Sequence, residues 1–187
     1  MITNVFIFHG TEGYPEENWF HWMKEELGQN GCKVFVPQFP SPPIVPAKID
    51  GWFNVLKDYE QYIDGNTILI GHSLGGIFAL RILEKLTHPI KAAFFIGTPI
   101  GISPILNYDR DNAFSGFTFD WAAIKKKAAH FYVFQSDNDP YVGLENGKEL
   151  AKHLGVELSF VPNAGHFNKK AGYIKFEKLR NDVLQIL

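Results

Sequence analysis

The stretch TILIGHSLGGIFALRIL, running from Thr67 to Leu83, decides the fold. Thr67 to Ile70 is a short apolar run, too brief for a helix and without polar alternation, so it reads as a strand covered on both faces. From Leu74 to Leu86 there is no proline, and charge gathers at the far end in Arg81, Glu84 and Lys85, which suits a largely buried helix. Between them stands Gly71-His72-Ser73-Leu74-Gly75. The outer glycines leave room where a strand and a helix nearly touch, and the serine between them is held in a strained conformation with its hydroxyl exposed. Helix capping by Ser73 alone would explain neither glycine.

The same alternation extends outward from this turn. Val5 to Phe8 is an apolar run that ends in His9-Gly10, the first strand. Asn18 is placed to cap a helix carrying Trp19, Trp22, Met23 and Leu27, terminated by Asn30-Gly31. Lys33 to Val36 reads as the second strand. The run from Pro37 to Pro43 is an irregular loop, because its prolines remove donors and restrict their neighbours. Ile49, Trp52, Leu56, Tyr59 and Ile63 form a helical stripe over residues 47–63. Further strands are expected at Ala92 to Ile96, Phe131 to Phe134 and Val156 to Val161, with helices at Trp121 to Ala129, Glu145 to His153 and Gly172 to Ile186. Residues 97–116, rich in glycine, proline, asparagine and aspartate, read as an extended excursion over one edge. This order predicts a mostly parallel, three-layer α/β/α sandwich with right-handed crossovers, occupying residues 1–187 as one domain.

Composition narrows the function. Eighteen basic and 20 acidic side chains give a net charge of -2, which offers no broad cationic field for nucleic acid. Cys32 is the only cysteine, so an intramolecular disulfide and a cysteine metal cluster are both excluded. Met1-Ile2-Thr3-Asn4 lacks the basic and apolar parts of a signal peptide, and no stretch is long and apolar enough to span a bilayer. A cytoplasmic protein with no membrane association is expected. The first loop lacks a dinucleotide fingerprint, and no metal-binding motif is present, so neither cofactor nor metal is expected.

In such sheets, ligands sit beyond the carboxyl ends of the strands, and His9, Ser73, Asp137, Asp139 and His166 all follow strands. A serine hydroxyl is a poor nucleophile until a base accepts its proton. Of seven histidines, His166 is best placed, in the turn-rich Asn163-Ala164-Gly165-His166-Phe167 after the last strand. An orienting acid is expected after the fifth strand, where Asp137 and Asp139 compete. The Asp-x-x-Val spacing favours Asp139 and leaves Asp137 to bond within its own turn. The Leu74 N–H at the helix start, with that of Gly10 or Thr11 in the first loop, is the expected oxyanion-stabilising pair. His9, Trp19, His72, Trp121, Tyr141 and Phe167 are candidate pocket residues, and aromatic walls would favour apolar or aromatic acyl groups.

The constellation resembles the α/β-hydrolase superfamily, in particular its small serine hydrolase branch of retinoblastoma-binding-protein and YdeN-like proteins. The likeness rests on Trp19-Phe20-His21-Trp22, Phe39-Pro40-Ser41-Pro42, the elbow Gly71 to Gly75, Asp139-Pro140 and Gly165-His166-Phe167. It implies six parallel strands in the order 2-1-3-4-5-6 with no large lid, a nucleophile at Ser73, an acid at Asp139 and a base at His166. The expected activity is cleavage of a small carboxylic ester or related acyl substrate. A peptidase or amidase with the same triad, or a protein-interaction module with weak catalysis, are the alternatives, although no Leu-x-Cys-x-Glu segment is present.

Overall fold

In the computed structural model, which describes residues 2–41 and 47–187, strands and helices alternate as the hydrophobic pattern requires. The strands are β1 (Asn4–Phe8), β2 (Lys33–Phe35), β3 (Thr67–His72), β4 (Ile90–Ile96), β5 (Ala128–Gln135) and β6 (Leu158–Phe160). All pairings are parallel, in the order β2-β1-β3-β4-β5-β6. The helices are α1 (Phe20–Gln29), α2 (Ile49–Leu56), α3 (Leu74–Lys85), α4 (Tyr108–Ser115), α5 (Trp121–Ile124), α6 (Leu144–Leu154) and α7 (Glu177–Leu184).

Successive strand side chains point to opposite faces, and both faces are apolar. Phe6, Phe8, Leu69, Ala93, Phe95 and Val133 pack with α2, α3, α5 and α6. Val5, Ile7, Ile68, Ile70, Phe94, Ile96 and Phe134 pack with α1 and α7. Burial of one such Leu, Ile or Phe side chain is worth about 1.5–3 kcal/mol, so the two layers dominate stability. Among the described residues, no helix is long and apolar enough to cross a membrane.

Several boundaries differ from expectation. The excursion over 97–116 contains a helix, α4, which buries only Asp111 and Phe114. The helix expected over 121–129 is one turn long, and Ala128 already belongs to β5. The stripe over 47–63 is α-helical to Leu56 and then tightens into a 3-10 turn, Lys57–Tyr62. The last helix begins at Glu177 rather than Gly172, because Gly172 adopts a left-handed φ of 90° after a 3-10 turn at Lys169–Ala171. The N-cap of α1 is Trp19, not Asn18, whose side chain is used elsewhere. Pro42 and Pro43 of the proline-rich loop lie outside the described residues.

Candidate active site

Ser73 sits between β3 and α3 at φ 53°, ψ -120°, a conformation that L residues rarely adopt. Its N–H donates to the Ile96 carbonyl (2.8 Å), and its own carbonyl accepts from Gly76 N–H (2.9 Å), which fixes the bend from both sides. The glycines are required by close approach. A Cβ on Gly75 would collide with the backbone carbonyls of Phe8 and His9, and one on Gly71 would lie 2.5 Å from Gly76 Cα. Gly76, outside the five-residue motif, is equally constrained, since a Cβ there would overlap the Thr98 side chain.

His166 and Asp139 meet on the neighbouring strand ends. The imidazole Nδ1–H donates to Asp139 Oδ2 at 2.7 Å, and the Asp139 side chain is fully buried. Asp139 Oδ1 accepts from Tyr141 N–H (2.8 Å) and Val142 N–H (3.1 Å), which gives the Asp-x-x-Val spacing its physical basis. With Nδ1 committed as donor, Nε2 of a neutral His166 carries the lone pair. Ser73 and His166 line one cleft of about 360 Å³, together with Gly10, Thr11, Tyr141 and residues of α4.

The loop bearing His166 is gripped from several directions. Asp137 Oδ1 accepts from Asn163 N–H (2.8 Å), Ser136 Oγ from Ala164 N–H (2.9 Å) and Asn138 Oδ1 from Gly165 N–H (2.7 Å). Asp137 therefore bonds across to the loop bearing His166 as well as accepting, at 3.5 Å, from Ser136 Oγ–H within its own turn. Residues 136–138 are ordinary turn formers, and nothing in their order marks a partner more than 25 positions away. From below, His72 Nε2–H donates to the His166 carbonyl (2.8 Å) and Trp19 Nε1–H to the Phe167 carbonyl (2.9 Å). Asn18 Oδ1 accepts from Lys169 N–H (2.8 Å).

These contacts correct the expected pocket. Trp19 and Phe167 are fully buried, and Phe167 stacks on Phe176 (5.4 Å, 14°), so both support the loop without lining the cleft. Trp121 stacks on His153 across α5 and α6 and is not a cleft residue. His9 is fully buried beneath the first loop. Its Nδ1–H donates to the Gly10 carbonyl (2.8 Å) while Nε2 accepts from Phe39 N–H (3.0 Å), which defines a neutral tautomer. Of the six candidates only His72 and Tyr141 border the cleft. Its remaining walls are mainly polar, including Glu12, Glu17, Asn107, Arg110 and Asp111, with Leu106 and Val142 as apolar members.

Burial governs the electrostatics here. Burial pushes the His9 pKa down to about 4. Burial, assisted by the nearby His166 ring, pushes that of His72 to about 3. Both are neutral supports at neutral pH. Burial acts oppositely on the carboxyls, raising Glu17 to about 7 and Asp111 to about 6. In the first loop Glu12 N–H is taken by Ser41 Oγ (2.6 Å), while Gly10 and Thr11 border the same cleft as Ser73.

A serine at a strained strand-to-helix turn, in one cleft with an aspartate-bonded histidine, is the arrangement of an acyl-transfer site. A family model described as serine hydrolase matches residues 5–185. The chain belongs to the serine hydrolase family. This serine hydrolase is 28% identical to the YdeN protein of Bacillus subtilis over 173 residues, covering 92% of this chain and 90% of that one. It is also 28% identical to the serine hydrolase RBBP9 of Rattus norvegicus over 170 residues, covering 88% and 87% of the two chains. The crystal structure of the B. subtilis ydeN gene product superposes with a TM-score of 0.89, at 25% identity and 98% coverage of both chains. The six-stranded sheet is accordingly a minimal α/β-hydrolase fold, and the activity is of the general serine-hydrolase type.

Proposed function

We propose that this serine hydrolase cleaves a small carboxylic ester through Ser73, His166 and Asp139. The observation that carries the reading is the 2.7 Å bond from His166 Nδ1–H to a buried Asp139 in the same cleft as the strained Ser73. His166 Nε2 takes the Ser73 proton as Oγ attacks the ester carbonyl carbon. Negative charge then gathers on the carbonyl oxygen, where Leu74 N–H and an N–H of Gly10 or Thr11 stabilise it. Collapse breaks the ester C–O bond, and the alcohol leaves with the proton held by His166. Water attacks the acyl-enzyme with the same base, releasing the acid and restoring Ser73. Asp139 holds the imidazole in the required tautomer and stabilises the imidazolium.

The test is hydrolysis of p-nitrophenyl acetate by wild type and Ser73→Ala. The substitution is expected to abolish turnover while leaving the circular dichroism spectrum and melting temperature close to wild type. Undiminished turnover in Ser73→Ala would remove the serine from the mechanism.

A further inference from the structure

The cleft wall opposite the elbow is built by α4, and its chemistry is not explained by acyl transfer alone. Asp111 is 5% exposed, yet it borders the cleft, and its Oδ1 has no hydrogen-bond partner among the described residues. Arg110 Nε forms an ion pair with that oxygen at 3.8 Å, beyond hydrogen-bond reach. Arg110 directs Nη1 instead to Glu12 Oε1 at 3.4 Å. The same cleft holds Glu17. Three carboxyls and one guanidinium thus border one cleft. A buried carboxylate oxygen without a donor is costly, and a cationic donor from a ligand would relieve that cost.

We propose that Asp111 binds a protonated amine carried by the substrate, so that this enzyme prefers esters with a cationic arm. The inference rests on the ester-hydrolase reading above and adds the substrate class. Asp111 contributes a charge-assisted hydrogen bond through its carboxylate. Glu12 and Glu17 add a negative field, in which an anionic arm would be repelled. Because burial raises the Asp111 pKa to about 6, the carboxylate is ionised at pH 8, where a primary alkylammonium is still charged.

The experiment compares p-nitrophenyl 6-aminohexanoate with its neutral isostere p-nitrophenyl heptanoate and with the anionic p-nitrophenyl monoester of adipic acid, at pH 8 and low salt. A second pair, 4-aminobutyl acetate and pentyl acetate, places the charge on the alcohol side. In wild type, the ammonium ester of at least one pair is expected to exceed its neutral partner about tenfold in kcat/KM. Asp111→Asn should reduce that ratio to below threefold. Ratios below twofold in both wild-type pairs, preference for the adipate monoester, or a ratio retained in Asp111→Asn would overturn the proposal. Calorimetric binding of the same esters to Ser73→Ala keeps the two readings separable. Charge preference in binding supports the Asp111 subsite and its absence refutes it, whichever residue attacks the ester.

Discussion

At Glu17 and the two buried histidines, burial favours the neutral form of each ionisable group, and the signs of the consequences differ. The Glu17 pKa is raised by burial to about 7, above its unfolded value, so its contribution is fully present below about pH 4.5 and is lost as pH rises through 7. His9 and His72 are lowered to about 4 and about 3, so the unfolded chain takes up protons first and stability falls as pH drops below 6.5. The two effects oppose one another between about pH 4.5 and 6.5. Glu17→Gln isolates the first. Relative to wild type, the variant should gain about 1–2 kcal/mol of stability between pH 5 and pH 8.5, after allowance for partial solvation of this carboxyl. Thermal melts at the two pH values check this, and an offset that does not change with pH would contradict it.

At the scale of elements, the elbow depends on how closely α3 approaches β1 and the end of β4. Gly75→Ala drives a methyl into the Phe8 and His9 backbone, which cannot move without displacing the sheet. Gly76→Ala meets a side chain, that of Thr98. Both substitutions should destabilise by about 3 kcal/mol or more, in the range of serious overpacking. Thr98→Ala removes the two nearest atoms and should restore part of the stability of Gly76→Ala, but none of that of Gly75→Ala. Denaturant melts of the four variants measure this, and equal rescue of both would contradict the packing account. Strand and helix identities were legible here because β3 is a short continuous apolar run and α3 a proline-free apolar stretch with its charge at the far end. The α4 segment was not legible: it packs only Asp111 and Phe114 inward, so no apolar stripe betrays it. Tyr173, Phe176, Leu179 and Val183 are spaced in the sequence as one helical face, but Tyr173 and Phe176 belong to the irregular approach to α7, where core contacts imitate such a face.

Over the whole molecule, the meeting of Ser73, Asp139 and His166 at one end of the sheet could be read from the chain because each follows a strand and lies in a local motif. The cleft's character could not. Its walls come from the first loop, α4 and the turns after β5 and β6, and of the aromatic rings expected there only Tyr141 borders it, while Trp19 and Phe167 support the loop bearing His166 and Trp121 packs on His153. An apolar slot would reward each added acyl methylene by about 0.8 kcal/mol, about fourfold in kcat/KM. The polar cleft predicts a flatter response, less than twofold per methylene from acetate to octanoate p-nitrophenyl esters. Fourfold steps along that series would show that the apolar expectation was correct.

The claim on which the account turns is that His166, oriented by Asp139, makes Ser73 nucleophilic. The most direct measurement is the rate of fluorophosphonate labelling, followed by intact mass, with the modified residue located by peptide mapping. One adduct on Ser73, formed at least a hundredfold more slowly in folded His166→Ala, is the predicted result. An adduct on another residue, or Ser73 labelling at an unchanged rate in that variant, would contradict it.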